Sequence, residues 1–221
     1  MPEIILMKYG LKAHMKSFVD NGQLCMNSMN YFHEIEGDAL RYDPHEGLVS
    51  IKQMKDGILR KINPETGKNE KIATITKATI RETSFNVQYL NLFCMFALNI
   101  ERLSSLNLAE YVDRRVWRNF GDSLVIILNA DKFLSRIKIA AERERVYVKF
   151  GLVQYEDFKV YEGNVGPFVK NQNYSYQKEA RLVAINRKPE RLFLNVGPIN
   201  DIAMLLNASD TPKLSISETN A

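Results

Sequence analysis

Residues 168–185 read FVKNQNYSYQKEARLVAI. The stretch begins with Phe168 and Lys170, runs through three amides and three hydroxyl side chains, and becomes apolar. That order predicts a polar loop feeding a buried strand, a rigid support for side chains that do chemistry. Successive side chains of an extended chain point to opposite faces, so Gln177, Glu179 and Arg181 are expected on one face. Tyr176, Ala180, Leu182 and Ala184 take the other. A glutamine two residues before a glutamate, at a loop-to-strand junction, is the sharpest chemical signal in the chain.

The surroundings are rich in strands. Residues 3–9 are mostly aliphatic and predict a first strand. Leu11, Met15, Phe18 and Val19 follow at helical spacing, with Asn21-Gly22 as the stop signal. Residues 23–28 predict a second strand. Residues 30–47, NYFHEIEGDALRYDPHEG, form a long loop and a candidate pocket wall. Further strands are expected at 48–54 and 58–62 around a Lys55-Asp56-Gly57 turn, then at 72–80 beyond an exposed tip at 63–70. The segment 72–80 alternates in period two, the pattern of a half-buried antiparallel strand. Residues 89–98, YLNLFCMFAL, are apolar on both faces and belong in the sheet's centre.

Helices are expected at 106–118 and after Asn129, whose side chain can cap a stripe of Phe133, Leu134, Ile137, Ala140 and Ala141. Residues 123–128, 146–154, 158–161 and 192–196 predict strands, and 199–206 a closing helix. The total is roughly nine to eleven strands and three or four helices, a strand-rich α+β fold. A single domain over residues 1–208 with a polar tail at 209–221 accounts for the 221 residues.

Composition narrows the class. The chain is 45% apolar and 25% charged, ordinary for a globular protein. No apolar run approaches the ~18 residues of a membrane span, and the N-terminus does not read as a secretory signal, so a cytoplasmic protein without a membrane partner is expected. Cys25 and Cys94 read as core thiols. A net charge of +4 permits a polyanionic partner, with Lys and Arg spread along the chain. His33 and His45 sit among acids, but their spacing matches no metal framework, so no metal is expected. Phosphate loops of the P-loop or dinucleotide type and the G-x-S-x-G elbow are absent from the sequence.

A carboxylate on a strand, beside an amide and hydroxyls, suits glycosidic bond cleavage, whose oxocarbenium-like species it stabilises. A leaving group that is already cationic, such as the nicotinamide of NAD, needs no general acid. One glutamate is then enough, Gln177 can orient the nucleophile, and Tyr174 and Tyr176 can stack on flat rings.

Gln177-Lys178-Glu179 resembles the Q-x-E motif of mono-ADP-ribosyltransferases. The wider pattern of Tyr9, Gly22, Lys170, Tyr176, Glu179 and Arg181 resembles a large uncharacterised bacterial family. The first resemblance implies a split or strongly bent, mostly antiparallel sheet gripping NAD as substrate. It implies Glu179 and Gln177 as catalytic residues, with Gln177 helping to select a nucleic-acid or protein acceptor. It also implies a cation on the first strand that anchors NAD. Here that strand ends in Lys8 and Tyr9, with Arg41 or His14 as further candidates, so Lys8, Tyr9, Arg41 and Tyr176 are the expected NAD-binding residues. Small transferases of this kind are often toxins of toxin–antitoxin or phage-defence systems, which implies an antitoxin partner. The alternative is a non-catalytic module that binds protein or RNA through the acidic loop 30–47 and the basic helix 132–145. A metal-dependent hydrolase on His33 and His45 ranks third.

Overall fold

The computed structural model describes residues 4–34, 43–99 and 105–217. The first part of the chain forms β1 (Ile4–Gly10), α1 (Lys12–Asn21), β2 (Gln23–Ser28), α2 (Met29–Glu34), β3 (Leu48–Ile62), β4 (Asn69–Thr83) and β5 (Leu90–Asn99). Next come β6 (Ser105–Asn107), α3 (Leu108–Tyr111), α4 (Arg114–Asn119), β7 (Ser123–Ile127), α5 (Ala130–Glu144), β8 (Tyr147–Leu152) and β9 (Gln154–Glu156). The last part adds β10 (Gly163–Asn164), β11 (Val169–Asn171), β12 (Glu179–Ile185), β13 (Leu192–Asn195), β14 (Ala203–Asn207) and β15 (Ser215–Ser217). The result is a strand-rich α+β domain whose main sheet is antiparallel throughout.

The main sheet forks. β8, β12 and β5 form a stem, with β12 running beside β5 from Glu179↔Phe96 to Ile185↔Leu90. On its other edge β5 meets two partners in turn. Asn91 and Leu92 pair with β2, while Phe96 to Asn99 pair with β1. β1 then continues along β7 and β14, and β2 continues along β13. Neither arm pairs with Phe93, Cys94 or Met95, so the sheet opens there.

The strands hold this shape because both faces of the sheet are covered. α1 and α5 pack Phe18, Phe133 and Ile137 against Leu6, Phe93, Met95 and Leu182. The opposite face buries Met7, Tyr9, Phe96 and Leu98 against Leu108, Val112 and Val116. Each large apolar side chain so buried contributes about 1.5–3 kcal/mol. β5 is apolar on both faces for this reason. The Asn129 side chain accepts a hydrogen bond from the Lys132 N–H and caps α5, as its sequence predicts.

Some expectations fail. Residues 55–57 are not a turn: β3 runs through them as one strand, with Asp56 at φ +56°. The 72–80 segment is not half-buried, because β4 projects with β3 away from the main sheet. Residues 158–161 form a turn, and 199–206 contain strand β14 instead of a helix. Residues 208–217 are packed: Thr211 is buried and bonded to the Tyr9 hydroxyl, and β15 pairs with β6.

Gly22 ends α1 in the left-handed conformation at φ +65°, and a Cβ there would lie 1.8 Å from the Gly197 carbonyl oxygen. Gly22→Ala therefore adds a backbone clash to the left-handed penalty of about 1 kcal/mol. Its urea unfolding midpoint is expected to fall by clearly more than that penalty alone, whereas Gly67→Ala, at the open β3–β4 tip, loses about the penalty.

Candidate functional site

The fork encloses a cleft of about 620 Å³. Lys8 and Tyr9 of β1, Cys25 and Asn27 of β2, and Phe93 to Phe96 of β5 line it, together with Gln177 and Glu179. Its position follows from the pairing. β1 leaves β5 after Met7↔Phe96, and Glu179 sits opposite Phe96 on the other side of β5, where the two arms diverge. The separation leaves backbone groups of β5 without a strand partner, and the Lys8 ammonium donates to the Cys94 carbonyl at 2.6 Å.

Glu179 is the centre of a buried ion network. One carboxylate oxygen accepts from Lys170 Nζ at 2.8 Å, and the other accepts from Arg181 Nε at 2.7 Å. The same lysine donates to Gln177 Oε1 at 2.8 Å. The far side of the Arg181 guanidinium forms a two-pronged pair with Glu46 at 2.8 and 2.9 Å, and also donates to the Pro167 carbonyl. Arg181 is 1% exposed and Glu179 8%, so these are interior charges. The chain brings them together by a strained device. Lys178 adopts φ +41° between Gln177, which ends a 3₁₀ segment, and Glu179, which starts β12. That turn lets both side chains reach one ammonium.

Electrostatics fix the protonation states. Burial opposes ionisation of Glu179, but the charges and hydrogen bonds of Arg181 and Lys170 win and hold its carboxyl well below the usual range. Burial likewise opposes the charge on Lys170, and Glu179 outweighs it. Asp43, also buried, is raised by burial and only partly offset by Lys170. The Cys94 thiol is pushed up to about 12 by burial and by Glu179. Burial pushes the Tyr9 hydroxyl up to about 12 as well. Glu179 thus shares Arg181 with Glu46 and Lys170 with Gln177.

Glu179, Gln177, Lys8 and Tyr9 thus line one cleft. Gln177, Glu179 and Arg181 do not present the open strand face that alternation predicts. Gln177 stands before the strand, and all three side chains are buried. Tyr176 lies outside the cleft, its ring 3.6 Å beneath the Arg115 guanidinium, so the expected ring-stacking position in the cleft is not the one it occupies. Arg41 falls outside the described residues, as do the other residues of 35–42 in the loop 30–47. Cys25 is not a core thiol, since it is exposed, whereas Cys94 packs partly buried against Met29, Leu92 and Val183; both line the cleft. The basic helix is partly neutralised, Lys132 and Arg136 pairing with Asp201.

Glu46, Asp43 and Tyr155, whose hydroxyl accepts the Glu179 N–H, were not singled out by the sequence. The acidic loop hinted at Glu46, yet its partner lies 135 positions away. Among the described residues no group of three His, Cys, Asp or Glu side chains converges as a metal site requires, and no helix is long and apolar enough to cross a membrane. The chain matches no protein-family model, no curated protein and no solved structure.

Removing one member of a buried ion pair costs about 3–5 kcal/mol. Arg181→Ala, which strands Glu46 and Glu179, is expected in that range by urea denaturation, against under about 1 kcal/mol for Lys188→Ala at an exposed pair. The folded-state value of Glu179 lies below its unfolded value of about 4.3. Its contribution is thus complete above that pH and is lost as pH falls toward the depressed value. Thermal melts of wild type from pH 6 to 3 should show this loss, and Glu179→Gln should flatten it.

Proposed function

We propose that the fork binds NAD and that the chain is a mono-ADP-ribosyltransferase, with a nucleic acid or a protein as acceptor. The observation that carries this reading is an ionised glutamate, held by Lys170 and Arg181, in a cleft that also holds Gln177, Lys8 and Tyr9. The reaction breaks the bond between ribose C1′ and the nicotinamide nitrogen. The bonding pair leaves with nicotinamide, which becomes neutral, and positive charge develops on the ribose. The ionised Glu179 carboxylate supplies the negative charge such a transition state needs.

The residues divide the work by position. An ionised carboxylate offers about four acceptor positions, and Lys170 and Arg181 use two, so Glu179 retains capacity for a ribose hydroxyl. Lys170 and Arg181 are positioning residues that hold the carboxylate still. Lys8 provides the cation for the pyrophosphate, exchanging the Cys94 carbonyl for phosphate oxygens. Phe93 and Phe96 give flat rings an apolar wall. Gln177, its carbonyl oxygen accepting from Lys170 and its amide nitrogen donating to the Tyr176 hydroxyl at 3.4 Å, is the residue that orients the acceptor, whose attack on C1′ releases a proton to solvent. A cytoplasmic toxin held in check by an antitoxin protein is the biological setting this chemistry fits.

The test is incubation with NAD labelled in the adenylate and in the nicotinamide, with separate protein, DNA and RNA pools. Wild type is expected to release nicotinamide and label one pool. Glu179→Gln is expected to lose at least a hundredfold in rate, and Lys8→Ala to raise the KM for NAD with a smaller effect on kcat. If a folded Glu179→Gln retains full activity, or wild type labels nothing and releases no nicotinamide, the reading fails.

A further inference from the structure

β3 and β4 form a two-stranded ribbon paired from Leu48↔Thr83 to Ile62↔Asn69. Fifteen residues per strand at about 3.3 Å each give an arm roughly 50 Å long. It is fixed at its base. Leu48 and Ile51 pack on Phe158 and Val165, β10 pairs with Ser50 and Ile51, and the Gln53 amide donates to the Phe158 and Tyr161 carbonyls. Beyond Gln53 no residue of either strand is buried.

The arm is not neutral. Residues 48–83 hold eight lysines and arginines against four acids, an excess equal to the +4 of the whole chain. The positive balance is therefore concentrated here, not spread along the sequence. It also opposes like charges. Lys77 stands directly opposite Lys55 and shares one face of the ribbon with it and with Arg81, while the register shift between Leu59 and Arg60 turns the Arg60–Lys71 rung to the other face. Glu82 lies on that other face and accepts from the Ser50 hydroxyl, Glu70 stands opposite Lys61, and Glu65 is in the tip. Lys55, Arg60, Lys71, Lys77 and Arg81 are all exposed, and no ion pair joins any of them to another described residue. Like charges directly opposed weaken a ribbon that is already marginal without a third strand. A polyanion laid on the face of Lys55 and Lys77 removes the repulsion at that rung.

We propose that this arm binds duplex DNA, setting the face of Lys55, Lys77 and Arg81 against phosphates that flank the major groove. The groove, about 12 Å wide, admits a two-stranded ribbon. Phosphate contacts by lysine and arginine position the protein without reading sequence. Residues 48–83 contain no aromatic side chain, so the arm lacks the stacking platform that single strands require. A-form RNA has a major groove too narrow to admit it. The inference does not depend on the reading of the cleft, and its test contains no NAD.

The experiment is a fluorescence-anisotropy titration of the full chain on a mixed-sequence DNA duplex of 20 base pairs, at salt from 50 to 200 mM. A plot of log affinity against log salt is expected to be linear, with a slope of about −2.7 for three contacted phosphates. Lys55→Ala with Lys77→Ala should reduce the slope by about 2 and weaken binding at least tenfold at 50 mM salt. Lys52→Ala with Arg60→Ala, on the other face, should stay within twofold. Lys77→Glu separates binding from folding: it replaces a repulsive rung by an attractive one, so it should weaken binding without lowering thermal stability. No binding, preference for single-stranded DNA or duplex RNA of equal length, or an equal loss in the Lys52/Arg60 variant overturns the proposal.

Discussion

The guanidinium of Arg181 sits between Glu179 and Glu46 with 1% of its surface exposed, and much of the fold is arranged to make that tolerable. Moving an ion into a protein interior costs several kcal/mol even after relaxation. That cost is met here by two carboxylates and the Pro167 carbonyl, each at hydrogen-bond distance. Arg181 lies on the central strand of the stem, Glu46 just ahead of the ribbon, and Pro167 just ahead of β11. One side chain thus ties two separate parts of the chain to the sheet. Its second carboxylate, Glu179, is left with its position and ionisation fixed.

The same economy shapes the cleft. A sheet that divides must leave strand edges without partners, and unpaired backbone groups are costly when buried. Lys8 answers part of this by donating to Cys94, which also carries a cation into the opening. The charge that tidies the fork is thereby the charge that a phosphate would seek. Opposite it stands an ionised carboxylate, so the two walls of the cleft differ in sign. Such a polarity suits a ligand that is anionic at one end and develops positive charge at the other.

The legible parts of the sequence are those set by local rules. The loop-to-strand passage at Glu179, the Asn129 cap and the burial of β5 on both faces all follow from neighbours in the chain. The misread parts needed distant information. Ile72, Ile75 and Ile80 mark a strand because β-branched residues favour extended backbone, and nothing nearby in the sequence reveals that no second layer covers β4. Residues 203–207 are too few to separate a strand from a helix by period. The last turns look like a frayed end because they dock through Thr211 on a buried hydroxyl, not through a large apolar side chain. Within the candidate site, Glu179 and Gln177 announce themselves, but Glu46 does not. An acid in an acidic loop carries no mark of the arginine it will meet.

The bond between Glu46 and Arg181 spans 135 positions of the chain. Closing so long a loop costs entropy that no early contact repays, and such pairings slow folding. β5 carries the same burden, since its whole edge toward β12 waits for residues made much later. During synthesis β1, β2, β5, β7 and the ribbon therefore emerge long before β12, the strand that brings Glu179 to the cleft. The cleft cannot exist in a partial chain. Whatever the site does, the ribosome must pass Phe193 of its lining before it can begin.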